Sequence, residues 1–141
     1  MSSFQSTHKF FIAFIAICIT QFAFTLSEKL TTVVCTESFG TLTLESNAKC
    51  GQKLGDNTEK YWKCLTANCQ KDNHKWVSMS GCRLIGGPPG TSVQQCVRYA
   101  IVPSGDNFQC WNSGATNRYL CPLSNAAFIT CTQCVESNGL G

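Results

Sequence analysis

Beyond Phe24 the chain has no apolar run long enough to span a bilayer, and its charge is sparse and nearly balanced. His8 and His74 are the only histidines of the chain. His74 lies in the polar run QKDNHK beside two lysines, the setting of a solvated side chain rather than of a base positioned for a nucleophile. The acidic residues are scattered along the sequence with no adjacent pair of the kind glycoside hydrolysis uses. LIGGPPG (84–90) lacks the lysine and the following helix of a phosphate-binding loop. No five-residue basic block occurs, which argues against nucleic acid as a partner. No Asn-x-Ser/Thr sequon is found either. On these grounds catalytic residues are expected to be none, and a bound cofactor is not expected.

The N-terminus carries the first positive signal. Lys9 precedes FFIAFIAICITQFAF, an apolar run from Phe10 to Phe24 that is short for a membrane span and fits the core of a secretory signal. Thr25 and Ser27 place small residues at −3 and −1, so residues 1–27 are expected to be a signal peptide cleaved before Glu28. Cys18 leaves with it. The mature region, 28–141, is then expected outside the cell and free of the membrane.

Eleven cysteines less Cys18 leaves an even ten: Cys35, Cys50, Cys64, Cys69, Cys82, Cys96, Cys110, Cys121, Cys131 and Cys134. That density in a short exported chain marks a disulfide scaffold, because a small core needs cross-links to offset chain entropy. Spacing does not choose the pairing. Zinc is the rival use of the same residues. CTQC (131–134) has thiolate spacing for one ion, and CLTANC (64–69) a looser version. The candidate zinc sets are Cys64, Cys69, His74 and Cys82, and Cys110, Cys121, Cys131 and Cys134. Export favours disulfides, and a reducing site of action would favour zinc.

The patterning is that of a small all-β domain of short antiparallel strands. Expected strands are 31–34, 41–45, 75–79, 96–102, 107–111, 118–121 and 127–131, separated by Gly, Pro, Asn, Asp and Ser clusters. Glu37–Gly40 reads as a turn. Tyr61, Leu65 and Cys69 fall at helical spacing within 58–70, so a helix and a hairpin arm both fit there. Asn112–Asn117 is the expected connection of a hairpin bearing Cys110 and Cys121. GGPPG (86–90) divides the mature cysteines five and five. The sequence therefore admits a diverged tandem of halves 28–85 and 91–141, in which GDNTEKYWKC (55–64) echoes GDNFQC (105–110).

Trp62, Trp76 and Trp111 are the candidate interaction residues, since exposed indoles stack on sugars and anchor protein interfaces. An aromatic-x-Cys unit occurs three times, as WKC (62–64), FQC (108–110) and YLC (119–121). With the signal segment and ten mature cysteines, this resembles the small secreted cysteine-rich candidate effectors of rust and related plant-pathogenic fungi. The resemblance implies secretion during infection, action in the host apoplast or after entry into host cells, and binding of a host protein to modulate immunity. It also raises zinc binding. It supplies no catalytic residue. Two further readings stay open, an apoplastic carbohydrate-binding module and a hydrolase inhibitor that presents IGGPPGTS (85–92).

Overall fold

The alternation of side chains along each strand sets the architecture. The computed structural model describes residues 29–41, 46–114 and 116–138, and the regular structure of these described residues is antiparallel β-strand with two 3₁₀ turns. The strands are β1 (Thr31–Val34), β2 (Ser38–Thr41), β3 (Asn47–Lys53), β4 (Glu59–Leu65), β5 (Cys69–Gln70) and β6 (Val77–Leu84). They continue as β7 (Ser92–Cys96), β8 (Arg98–Ile101), β9 (Asn107–Trp111), β10 (Arg118–Pro122) and β11 (Thr130–Ser137). Single 3₁₀ turns at Thr66–Asn68 and Leu123–Asn125 follow β4 and β10. The proposed signal segment and residues 42–45 lie outside the described residues.

One sheet runs in the order β1-β11-β4-β3-β2-β8-β9-β10-β6-β7, with β5 also on β11. Two meanders, β2-β3-β4 and β8-β9-β10, meet where β2 pairs β8, with Phe39 opposite Tyr99. Each meander is flanked by the strand that ends the other stretch of sequence: β4 by β11, and β10 by β6. One face packs the core. Phe39, Ala48, Cys50, Cys64, Tyr99, Phe108, Cys110 and Cys121 point into it, joined by Val33, Val77, Met79 and Ile129. Tyr99, Phe108 and Phe128 form an aromatic cluster with centroids 5.7–6.3 Å apart. The Tyr99 hydroxyl is buried and fully used. It donates to the Cys35 carbonyl at 2.8 Å and accepts from the Ile129 N–H at 3.0 Å, which ties β8 to the ends of β1 and β11.

Five disulfides lock this arrangement: Cys35–Cys50, Cys64–Cys134, Cys69–Cys131, Cys82–Cys121 and Cys96–Cys110. Every mature cysteine is used. Five cysteines on each side of GGPPG require at least one bond across it, and the fold makes three. Their sequence separations of 39 to 70 residues remove more unfolded-chain entropy than the two local bonds, at 14 and 15.

Several sequence expectations change. The helix over 58–70 is strand β4, one 3₁₀ turn and β5, because residues opposite Cys50 and Ala48 must alternate to reach the core. Ser38–Thr41 is a strand, not a turn, and pairs on both sides. The run 96–102 is broken at Val97 into the end of β7 and all of β8. The strand expected at 127–131 starts only at Thr130, and that expected at 75–79 starts at Val77. The hairpin over 107–121 is present, with β9 and β10 joined by residues 112–117. GGPPG lies within the exposed connection between β6 and β7.

Candidate functional site

Residues that do not face the core line the outer side of the same strands. Outer positions on β3 and β4 carry Lys49, Lys53, Glu59, Tyr61 and Lys63, and those on β2 are small, Ser38 and Gly40. Small side chains on β2 between longer ones leave a hollow at the β2–β8 junction. The result is a groove of about 590 Å³, open to solvent, whose polar walls are Glu37, Lys49, Lys53, Glu59, Tyr61 and Arg98. Arg98 lies across Gly40, where a β-carbon would sit 3.3 Å from its Cγ. A side chain at Gly51 would run into Ser38 Oγ, so glycine there lets Ser38 and Tyr61 close together.

The groove's groups are electrostatically coupled. Tyr61 donates its hydroxyl to Glu59 Oε2 at 2.8 Å. That bond, then partial burial and the neighbouring carboxylates, holds the Tyr61 phenol above its ordinary pKa. The Glu37 carboxyl is pushed up first by burial and then by Glu59, with Lys53 opposing. Glu37 Oε2 is buried without a hydrogen-bond partner among the described residues. That oxygen carries no exposed surface, so its unused acceptor capacity is a cost to the fold rather than a contact offered to a partner. In the sequence the acidic residues are scattered. Strand pairing brings Glu37 and Glu59 to one groove, and no spacing rule links positions 37 and 59.

The three tryptophans do not assemble. Trp62 faces inward opposite Cys50 and packs on the core, with its indole nitrogen buried and without a hydrogen-bond partner among the described residues. Trp76 is half-buried and edge-on to His74, with centroids 4.5 Å apart. Trp111 faces outward, and the Arg98 guanidinium carbon lies 4.9 Å from its ring centroid. Trp111 is thus the indole nearest the groove, reached through Arg98.

His74 closes a two-residue turn on β5's side of the molecule. Its backbone pairs with Lys71 in both directions at 2.9 Å, and Asp72 and Asn73 take positive φ. Its ring Nδ1 contacts the Asp72 carbonyl at 2.7 Å. The zinc sets proposed from spacing are dispersed. Cys64, Cys69 and Cys82 enter three different disulfides, with Cys134, Cys131 and Cys121, and Cys110 pairs with Cys96. Sulfurs of neighbouring bridges do cluster within 4.8 Å, as for Cys64, Cys69 and Cys131, but disulfide sulfurs are not thiolates. In the oxidised chain these cysteines are staples.

Compared with known proteins, the chain matches no described family, no curated relative and no solved structure. Five disulfides point to an oxidising, extracellular environment. No helix among the described residues is long and apolar enough to cross a membrane.

Proposed function

We propose that this chain is a secreted, non-enzymatic interaction protein of the cysteine-rich effector type that binds a host protein through the outer groove at the β2–β8 junction. The observation that carries this reading is the groove itself. It joins three cations, two carboxylates and a phenol on a disulfide-locked sheet. Mixed charges on a rigid face favour selective recognition of a polar protein surface, through complementary pairing and repulsion of wrong partners. The signal-like N-terminus and the aromatic-x-Cys units support the effector class and action in the apoplast.

The test uses the oxidised mature protein, immobilised and exposed to plant apoplastic proteins. Lys49→Glu/Arg98→Glu reverses charge in the groove, and Arg83→Glu, on β6, is the matched control. Retained proteins are expected to be lost with the double variant and kept with the control. Equal capture of the same protein by the groove variant would sink the assignment.

A second reading has one observation in its favour. Residues 85–91, which connect β6 to β7, and Ser92 are exposed throughout, the placement of a loop inserted into a hydrolase. Replacing that loop by Gly-Ser should abolish inhibition of a target hydrolase under this reading and leave groove-dependent binding untouched. The carbohydrate reading loses Trp62, which is spent on the core. The zinc reading applies to a reduced form, and metal analysis of protein held in reductant tests it.

A further inference from the structure

We infer that the molecule is an intramolecular pseudo-dimer: two copies of one unit, residues 31–84 and 92–137, related by an approximate two-fold axis through the β2–β8 pair, each copy closed by the other's last strand. The registers match position by position. Phe39 opposes Cys50, which opposes Trp62, on β2-β3-β4; Tyr99 opposes Cys110, which opposes Tyr119, on β8-β9-β10. Trp62 and Tyr119 then face Glu136 and Leu84, on the exchanged strands β11 and β6. The outer strands agree as well. Val33 and Thr31 of β1 pair with Cys131 and Cys134, and Gln94 and Ser92 of β7 pair with Met79 and Cys82.

Irregular features coincide too, and propensity alone does not produce that. Both outer pairs carry an extra residue at the same place, between Cys131 and Cys134 and between Met79 and Cys82. Within each bulge one residue has positive φ, Gln133 at 56° and Gly81 at 70°. An asparagine from the 3₁₀ turn after β4 or β10 reaches each bulge: Asn68 Nδ2 donates to Gln133 Oε1, and Asn125 Nδ2 to the Ser80 carbonyl, both at 3.0 Å. Two pairs of disulfides are twins under the same rotation, Cys35–Cys50 with Cys96–Cys110, and Cys64–Cys134 with Cys82–Cys121. Only Cys69–Cys131 has no twin. The equivalent positions are Ala126 and Met79, which pack in or against the core.

That vacancy gives a sharp test in the full mature chain. Met79→Cys/Ala126→Cys should form a sixth disulfide. Unreduced intact mass is expected to show twelve paired cysteines and no alkylated thiol, and peptide mapping a link between positions 79 and 126. Two free thiols beside the five original bonds would overturn the equivalence. Should that variant fail to fold, Cys69→Ala/Cys131→Met decides the matter by giving the first unit the second unit's packing. It is expected to recover the other four bonds unchanged, whereas scrambling of those four would overturn the inference.

Discussion

The two units share most of their inward cysteines and aromatics and part company on the outward side. On β8-β9-β10, Trp111 lies opposite both Arg98 and Arg118, so an indole covers the outer face beneath a guanidinium. On β2-β3-β4 the matching positions hold Ser38, Gly51 and Tyr61, and it is there that the groove opens. Most core cysteines and aromatics keep matched registers because change there meets close packing, the exceptions being Ala48, whose counterpart is Phe108, and the Cys69–Cys131 bond. Outer positions carry no such constraint, so they are where binding properties can diverge. The first unit also has six residues, Gln70–Lys75, between Cys69 and Trp76, which build the His74 hairpin. Ala126–Ile129 takes the direct route in the second unit.

Breaking the comparison at its disulfides has the largest expected effect. Removing the twin bonds singly, as Cys64→Ala/Cys134→Ala and as Cys82→Ala/Cys121→Ala, should cost about 4 kcal/mol each, and the two costs should agree to within ~0.5 kcal/mol. Denaturant titration of each variant measures this. Tyr99 comes next, because its twin is Phe39 and only Tyr99 carries the bridging hydroxyl. Tyr99→Phe strands the Cys35 carbonyl and the Ile129 N–H, and should cost roughly 1–3 kcal/mol in the same titration.

Burial also raises the Tyr99 phenol well above its ordinary range. The unfolded chain gives up that proton near its ordinary pKa, about 10, while the fold retains it, so stability should fall as pH rises above that value. The alkaline loss should shrink in Tyr99→Phe when melts at neutral and alkaline pH are compared.

Two smaller effects sharpen the contrast. At the twin bulges, Gly81→Ala should destabilise by about 1 kcal/mol, because its positive φ disfavours a β-carbon. Gln133→Gly relieves the same strain but loses the bond to Asn68, so the net gain in thermal melts should be under ~1 kcal/mol. In the groove, the raised Glu37 carboxyl penalises the fold above the ordinary carboxylate pKa. Glu37→Gln should therefore raise the melting temperature slightly at pH 7, and the gain should fade toward pH 3, where both side chains are neutral.

Much of this fold was legible in the sequence, and the groove was not. The even cysteine count, the β-branched TTVV and the 107–121 hairpin led directly to a cross-linked β-domain. Strand β3 (NAKCGQK) has no strand signature in the sequence, because Asn, Lys and Gly are poor strand formers. Its pairing on both sides, with Ala48 and Cys50 buried, overrides that propensity. The Gly-Asp-Asn echo does not fall in the register of the inferred two-fold relation. Gly55–Asn57 turns between β3 and β4, while Gly105–Asn107 spans the turn between β8 and β9 and the first residue of β9. The matching segments are YWKCLTAN and RYLCPLSN, whose shared asparagine becomes meaningful only once both bulges are seen. Exchange of last strands has no local sequence signature, because the hydrogen bonds of β6 and β11 are the same whichever unit supplies the partner.

The central claim is that each unit closes the other, and the disulfide map of the unreduced mature protein tests it most directly. Proteolysis without reduction, followed by mass spectrometry, should recover Cys64–Cys134, Cys69–Cys131 and Cys82–Cys121 across GGPPG, with Cys35–Cys50 and Cys96–Cys110 within the units. A map with a single bond across GGPPG, the fewest that five cysteines on each side permit, would contradict it.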